Sequence, residues 1–170
     1  MKTLISKHFF APALATFLWG CNGSVLTSND SAGEIATTLC SDSAFNSELN
    51  DKVLEICVLT NTERANADKE YLSLDAALST IAQAHAEDMV NRAFFSHTNP
   101  DGLTAFDRLT NAGISYQAAA ENIAAGQTSA ESAMDSWMNS PGHQANILGE
   151  AYTKIGIGYF QNYWVQVFTN

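Results

Sequence analysis

With 170 residues, 46% of them apolar, the chain has room for one domain whose core needs neither metals nor disulfide staples. Eighteen acidic against eight basic side chains give a formal charge of -10 and a pI near 4.6. Phosphate backbones and anionic membrane surfaces are repelled at long range, which argues against nucleic acid as a partner.

Lys2 and Lys7 precede an apolar run from Phe9 to Trp19 that is too short to span a bilayer, so residues 1–20 read as a secretory signal peptide. Leu18-Trp19-Gly20-Cys21 resembles a bacterial lipobox, in which a small residue precedes a cysteine that is lipidated, although Trp19 is bulky for that pattern. Cys21 is therefore the expected lipid anchor of a cell-envelope lipoprotein, and the chain's only contact with a membrane. The alternative is an ordinary signal peptide cut nearby, with Cys21 left as a thiol on a periplasmic or extracellular protein. Cys40 and Cys57 remain, an even number in an oxidising compartment, and the arithmetic allows a bridge between them as well as a buried free Cys57 and a loose Cys40. Residues 21–46 are rich in Ser, Thr, Asn, Gly and Asp and read as a tether.

The domain is expected over residues 47–170. Leu49, Val53, Ile56, Cys57 and Thr60 recur at helical spacing after a capping Ser47, giving a helix to about Ala65. Asn61 and Arg64 share one of its faces, where an arginine is expected in a surface or interhelical salt bridge. A second helix starts at Asp75 and carries the stripe Leu78, Ala82, His85 and Met89. His85 is expected as a hydrogen-bonded core residue, since His85-Ala86-Glu87 lacks the second histidine of a zincin and the paired cysteines of a zinc deaminase.

Asn99-Pro100-Asp101-Gly102 forces a turn after His97, which places His97 on a loop with Phe94 and Phe95 expected to bury beside it. A short helix from about Thr104 to Ala112 ends at Gly113. Ile114 to Tyr116 and Glu121 to Ala124 are the places for a strand. Thr128 and Glu131 form a capping box for a fourth helix bearing Ala130, Ala133, Met134 and Trp137, which Pro141 stops. Ile155, Ile157 and Tyr159 alternate with glycines, and Trp164 to Phe168 follow Gln161-Asn162, which makes a hairpin. Helices followed by clustered strands give an α/β class with helices packed on a small sheet.

Asn61-x-x-Arg64, Ala84-His85-Ala86 with Met89, Phe95-Ser96-His97, Gly102, Arg108, Glu121-Asn122-Ile123, Trp137-x-x-Ser140-Pro141-Gly142-His143-x-x-Asn146-Ile147-Leu148, Ile155-Gly156-Ile157-Gly158 and Trp164-x-Gln166-x-Phe168 are each weak motifs, but specific in this order and spacing. Together they resemble the bacterial single-domain branch of the CAP superfamily: cysteine-rich secretory proteins, antigen 5 proteins and pathogenesis-related proteins, which share the SCP domain. The resemblance spans about residues 52–169. It implies an α-β-α sandwich of about four helices around a small, mainly antiparallel sheet. It also implies a cleft with a His, Glu, Glu, His tetrad that holds a divalent metal in some members. His97 matches the first histidine, Glu121 the first glutamate and His143 the second histidine. Ser140 stands where the second glutamate is expected, as is common in bacterial members, and Ala120 stands where glycine usually precedes Glu121.

Three functions compete on these residues. A binding module of the envelope, for a lipid or another small hydrophobic or envelope ligand, needs only an exported domain with a cleft formed by His97, Glu121, Ser140 and His143, and requires no cofactor. A hydrolase dependent on zinc or another divalent metal would use His97 and His143 as nitrogen ligands and Glu121 as ligand or base. A serine hydrolase is weaker, because neither Ser96 nor Ser140 sits in a Gly-x-Ser-x-Gly elbow. In a purely structural role, the same side chains would form a satisfied polar cluster that ties the loops together.

Overall fold

A computed structural model of the chain describes residues 32–40 and 50–170. The signal peptide at 1–20, Cys21 and the Ser47 cap lie outside the described residues. Six helices occur among the described residues, α1 (Ala32–Cys40), α2 (Asn50–Asn66), α3 (Ala76–Asn91), α4 (Ala105–Asn111), α5 (Ala130–Met138) and α6 (Pro141–Ile147), with four strands, β1 (Ser73–Leu74), β2 (Ala119–Ala125), β3 (Lys154–Phe160) and β4 (Tyr163–Thr169). The sheet order is β1-β3-β4-β2, with β1 parallel to β3 and the other pairs antiparallel. The mixed α/β sandwich expected from the sequence is therefore present, with six helices in place of about four.

Strand periodicity sorts the core onto the two faces of this sheet. Ile155, Ile157, Trp164 and Phe168 pack with Val53, Ile56, Cys57, Trp137 and Ile147 on the side of α2, α5 and α6. Val165, Val167 and Ile123 pack with Leu78, Ala82, Ala86, Met89 and Leu109 on the side of α3 and α4. Asp75 caps α3, its carboxylate accepting from the amides of Ala77 and Leu78. The α3 helix lies so close to β3 that a Cβ on Gly156 would sit 2.2 Å from the backbone carbon of Leu78, and one on Gly158 2.3 Å from that of Ala82. These two glycines set the distance between the layers. Since β1 is only two residues long, α3 also covers the edge of β3: Ser79 Oγ accepts from the Ile157 amide at 3.0 Å and Gln83 Oε1 from the Tyr159 amide at 2.9 Å. The hairpin turns at Gln161 and Asn162, both with positive φ, of 45° and 65°.

Several expectations are corrected. Part of the stretch 21–46 expected as a tether is α1, whose Ala36 and Cys40 are buried, and Cys40 is bridged to Cys57. Arg64 makes no surface ion pair. It is 1% exposed, and its guanidinium donates to the carbonyls of Glu70, Ile147 and Gly149 at 2.7, 2.7 and 2.8 Å. Residues 114–116 form no strand. The box at the start of α5 is Ser129 with Ser132, not Thr128 with Glu131. Pro141 does not merely stop α5; it opens α6 from the first helical position, where its missing N–H costs nothing. Phe95 is 53% exposed and stacks edge-on against Tyr163 instead of entering the core.

Candidate functional site

The site is built on β2, an edge strand, and on the alternation of its side chains. Glu121 points to the α3 and α4 side and Asn122 to the α2 and α6 side, opposite Val167 and Gln166 of β4 respectively. Each face then supplies its own partners.

On the first face the Glu121 carboxylate is almost closed from solvent, with a side chain 3% exposed. Arg108, from α4, donates through Nη2 to Oε2 at 2.6 Å, and His97 approaches Oε1 with Nδ1 at 2.8 Å. Burying a charge so deeply requires a counter-charge and hydrogen bonds, and Arg108 supplies both. Arg108 is fixed in turn through Nη1, which donates to the carbonyls of His97 and Leu103. One arginine thus ties the His97 loop, the start of α4 and the strand together. The capping box of Thr104 with Asp107 sets where α4 begins.

Because a carboxylate only accepts, the His97 Nδ1 carries the hydrogen and Nε2 is turned away from Glu121. His85 lies behind this layer. Its Nε2 donates to the Ser96 carbonyl at 3.0 Å and stands 4.0 Å from Glu121 Oε1. Burial pushes its imidazole below the ordinary histidine range, against the opposing pull of Glu121, so the ring is held neutral. The core role expected for His85 is what the structure shows, with the addition that it backs the carboxylate.

On the second face Asn122 donates to the His143 carbonyl at 3.2 Å and to Gln166 Oε1 at 3.0 Å, while its own oxygen accepts from Asn146 at 2.8 Å. Gln166 passes the chain on to Thr60 in α2. Arg64 holds the other end of α6 through Ile147 and Gly149. Thus α6, with His143 in its first turn, is fixed at both ends from below. The His143 imidazole is pushed below the usual range by burial first and by the nearby charge of His97 second, so the two rings feel each other. No hydrogen bond joins His143 to Glu121. Ser140 is the N-cap of α6 and makes no side-chain capping bond; it does not line the cleft described next.

The cleft above Glu121 has a volume of ≈ 390 Å³ and is lined by His97, Thr98, Thr104, Ala105, Phe106, Ala119, Ala120, Glu121, Asn146 and Tyr152. Its floor is polar and its walls are largely apolar, with Phe106 49% exposed. Ala120, in the place of the usual glycine, has no positive φ and fits without strain.

The zinc set implied by resemblance was His97, Glu121 and His143. Among the described residues no three His, Cys, Asp or Glu side chains are gathered so that they could hold a metal ion. The chemistry of the donors agrees: both Glu121 oxygens are engaged, one by a guanidinium cation, and Ser140 replaces a carboxylate. The residues present do not fit a metal. Sequence reasoning placed Arg108 and Asn146 within motifs without a role. Their partners lie across the fold, so no local sequence signal points to the pairing.

A family model described as CAP, the cysteine-rich secretory protein family, matches residues 58–168. The chain is 42% identical over 119 residues to the uncharacterized protein YkwD of Bacillus subtilis (strain 168), covering 69% of this chain and 45% of that protein. It is 33% identical over 114 residues to the uncharacterized membrane protein YlbC of the same organism, covering 67% and 33%. The chain therefore spans less than half the length of these curated relatives. An extracellular SCP-domain protein of Bacillus anthracis is similar in structure, with a TM-score of 0.65 and 31% identity over 68% of this chain and 39% of that one. An outer surface protein of Borrelia burgdorferi shares the fold at a TM-score of 0.61 and 22% identity, covering 68% and 92%.

Proposed function

The chain belongs to the cysteine-rich secretory protein family, and from that premise we propose that it is an exported cell-envelope binding module whose cleft takes a lipid or other small hydrophobic ligand. The observation that carries this reading is the pairing of a saturated polar floor with an apolar wall. Arg108 and His97 occupy both oxygens of Glu121, so the floor is fixed before any ligand arrives, while Phe106, Ala105, Ala119 and Tyr152 offer surface that gains from being covered. The outward-facing Nε2 of His97 and the Asn146 amide give the polar end of an amphiphile something to meet.

Export is supported by the leader-like residues 1–20 and by the relative from Bacillus anthracis, which is an extracellular protein. Anchoring through Cys21 belongs to the same proposal. Wild type that fractionates with membranes, and a Cys21→Ser variant that is released, are the expected results; an exported and wholly soluble wild type would remove the anchor.

The hydrolase reading is disfavoured by the same geometry. A general base must be free to take a proton from water or a nucleophile, and Glu121 is already neutralised by a guanidinium. The decisive experiment is a mass-spectrometric inventory of lipid retained by the purified chain, followed by titration with a fluorescent fatty-acid analogue. Retained lipid, saturable binding that resists chelator, and loss of about tenfold or more in affinity in Phe106→Asp are expected, since a charge in an apolar wall forfeits the burial term. A chain that carries no lipid and binds the analogue no better than Phe106→Asp would overturn the proposal.

A further inference from the structure

On the far side of Arg108 from the cleft lies a second cavity, of ≈ 380 Å³, lined by Ala84, His85, Glu87, Asp88, Asn91, Asn99 and Arg108. It is separate from the lipid cleft and the reading above does not depend on it. Two of its lining side chains carry buried polar atoms with no partner: Nδ1 of His85, whose residue is 1% exposed, and Nε of Arg108. Most buried polar atoms in a folded protein are hydrogen-bonded, and one left unserved destabilises the fold.

The two atoms are of opposite kinds. His85 Nε2 bears a hydrogen because it donates to the Ser96 carbonyl, so in the neutral ring Nδ1 offers a lone pair and asks for a donor. Arg108 Nε–H asks for an acceptor. An anion would meet Arg108 but also Asp88, Glu87 and the lone pair of His85; an ammonium group would meet those but also the guanidinium. A hydroxyl donates and accepts at once and carries no charge. The rim continues this pattern. Glu87 has one oxygen taken by Gln83, and the Asn91 amide lies exposed at the mouth. A single water occupies only about 30 Å³, so the space suits a ring bearing several hydroxyls.

We propose that the cavity between α3 and the Asn99–Arg108 segment binds a neutral polyhydroxylated ligand, a saccharide, whose hydroxyls serve His85 Nδ1 and Arg108 Nε. Neither atom is open to solvent before binding, so the ligand reaches them only as the side chains that cover them change rotamer, a common event on binding. The two cavities share no lining residue, and most of the wall that faces the sugar belongs to α3.

The test is a titration of the full chain with three neutral probes, methyl α-glucopyranoside, N-acetylglucosamine and glycerol, followed through backbone amide resonances. Saturable shifts centred on residues 84–91, with the two sugars binding more tightly than glycerol, are expected. Glucuronate and glucosamine, the anionic and cationic counterparts, should bind about tenfold more weakly. Ala84→Trp, a substitution at an exposed helix position that fills the mouth, should abolish the shifts and leave the remaining spectrum intact. His85→Gln keeps a donor for Ser96 and should weaken binding by a similar tenfold. If none of the three probes shifts these resonances, the proposal falls. It falls equally if the shifts persist in Ala84→Trp or if a charged sugar binds best.

Discussion

The contact of α3 with β3 and the support beneath α6 hold the molecule together by opposite means. Between α3 and β3 the decisive feature is missing atoms: Gly156 and Gly158 leave no side chain, and the helix backbone fills the space. Beneath α6 it is an added group, the buried Arg64, whose three hydrogen bonds gather carbonyls from two distant turns. The first region is broken by adding a methyl and the second by removing a cation. The difference teaches that the scaffold of this fold is steric, while the shelf that carries His143 and Asn146 is polar.

The largest effect is expected on the shelf. Arg64→Leu strands three carbonyls, that of Ile147 buried and those of Glu70 and Gly149 partly so, and should lower stability by about 4 kcal/mol in urea unfolding, from one to a few kcal/mol for each unpaired group. Its amide spectrum should change most in α6. A loss below 1 kcal/mol, by about the norm for a surface change, would show that the carbonyls find other partners. Gly156→Ala comes next, at about 3 kcal/mol, because the clash is with the α3 backbone, which cannot rotate away as a side chain would. That position has no positive φ, so the result reads crowding and not backbone strain.

Acidity acts on both regions in the same direction. His85 and His143 are both held below the ordinary histidine range, chiefly by burial. The unfolded chain therefore binds protons that the fold refuses, and their contribution to stability, complete above about pH 6.5, is lost as pH falls below that value. Unfolding midpoints should drop over this window, and His85→Gln should flatten the drop. An unchanged slope in that variant would mean that the ring charges freely inside the fold. The smallest effect is expected at Ala93, which follows α3 with φ 54°. Ala93→Gly relieves a left-handed conformation and should be neutral or stabilising by up to about 1 kcal/mol, readable as a small rise in Tm.

The elements that were legible in the sequence are those whose signal is local. Asp75 and the stripe Leu78, Ala82, His85 and Met89 announced α3 because cap and periodicity lie within a few turns of each other. The Gln161-Asn162 hairpin was legible for the same reason. By contrast α6 has one buried residue, Ile147, so it has no apolar stripe to read, and its Pro141 looks equally like a stop. The apolar stripe of α1, Ile35, Ala36, Leu39 and Cys40, spans little more than one turn and is too short to stand out from the polar residues around it, and the bridge from Cys40 to Cys57 ties the helix to α2. The part of the site carried by motifs came through as positions, His97 and Glu121 among them. The contacts did not, since Arg108 to Glu121 and Arg64 to Ile147 are matters of which surfaces meet after folding.

The placing of the Glu121 and Asn122 side chains on opposite faces of one edge strand has a kinetic consequence. The backbone that carries both groups is held to β4 along its whole register, so the floor as a unit moves only with the sheet. The rim, by contrast, consists of the His97 loop and the first turn of α4, which open independently. Deuterium should therefore enter the backbone amides of Ala120, Asn122 and Ala124, the residues of β2 that bond to β4, orders of magnitude more slowly than those of 97–104, and a ligand in the cleft should slow the second group while leaving the first untouched.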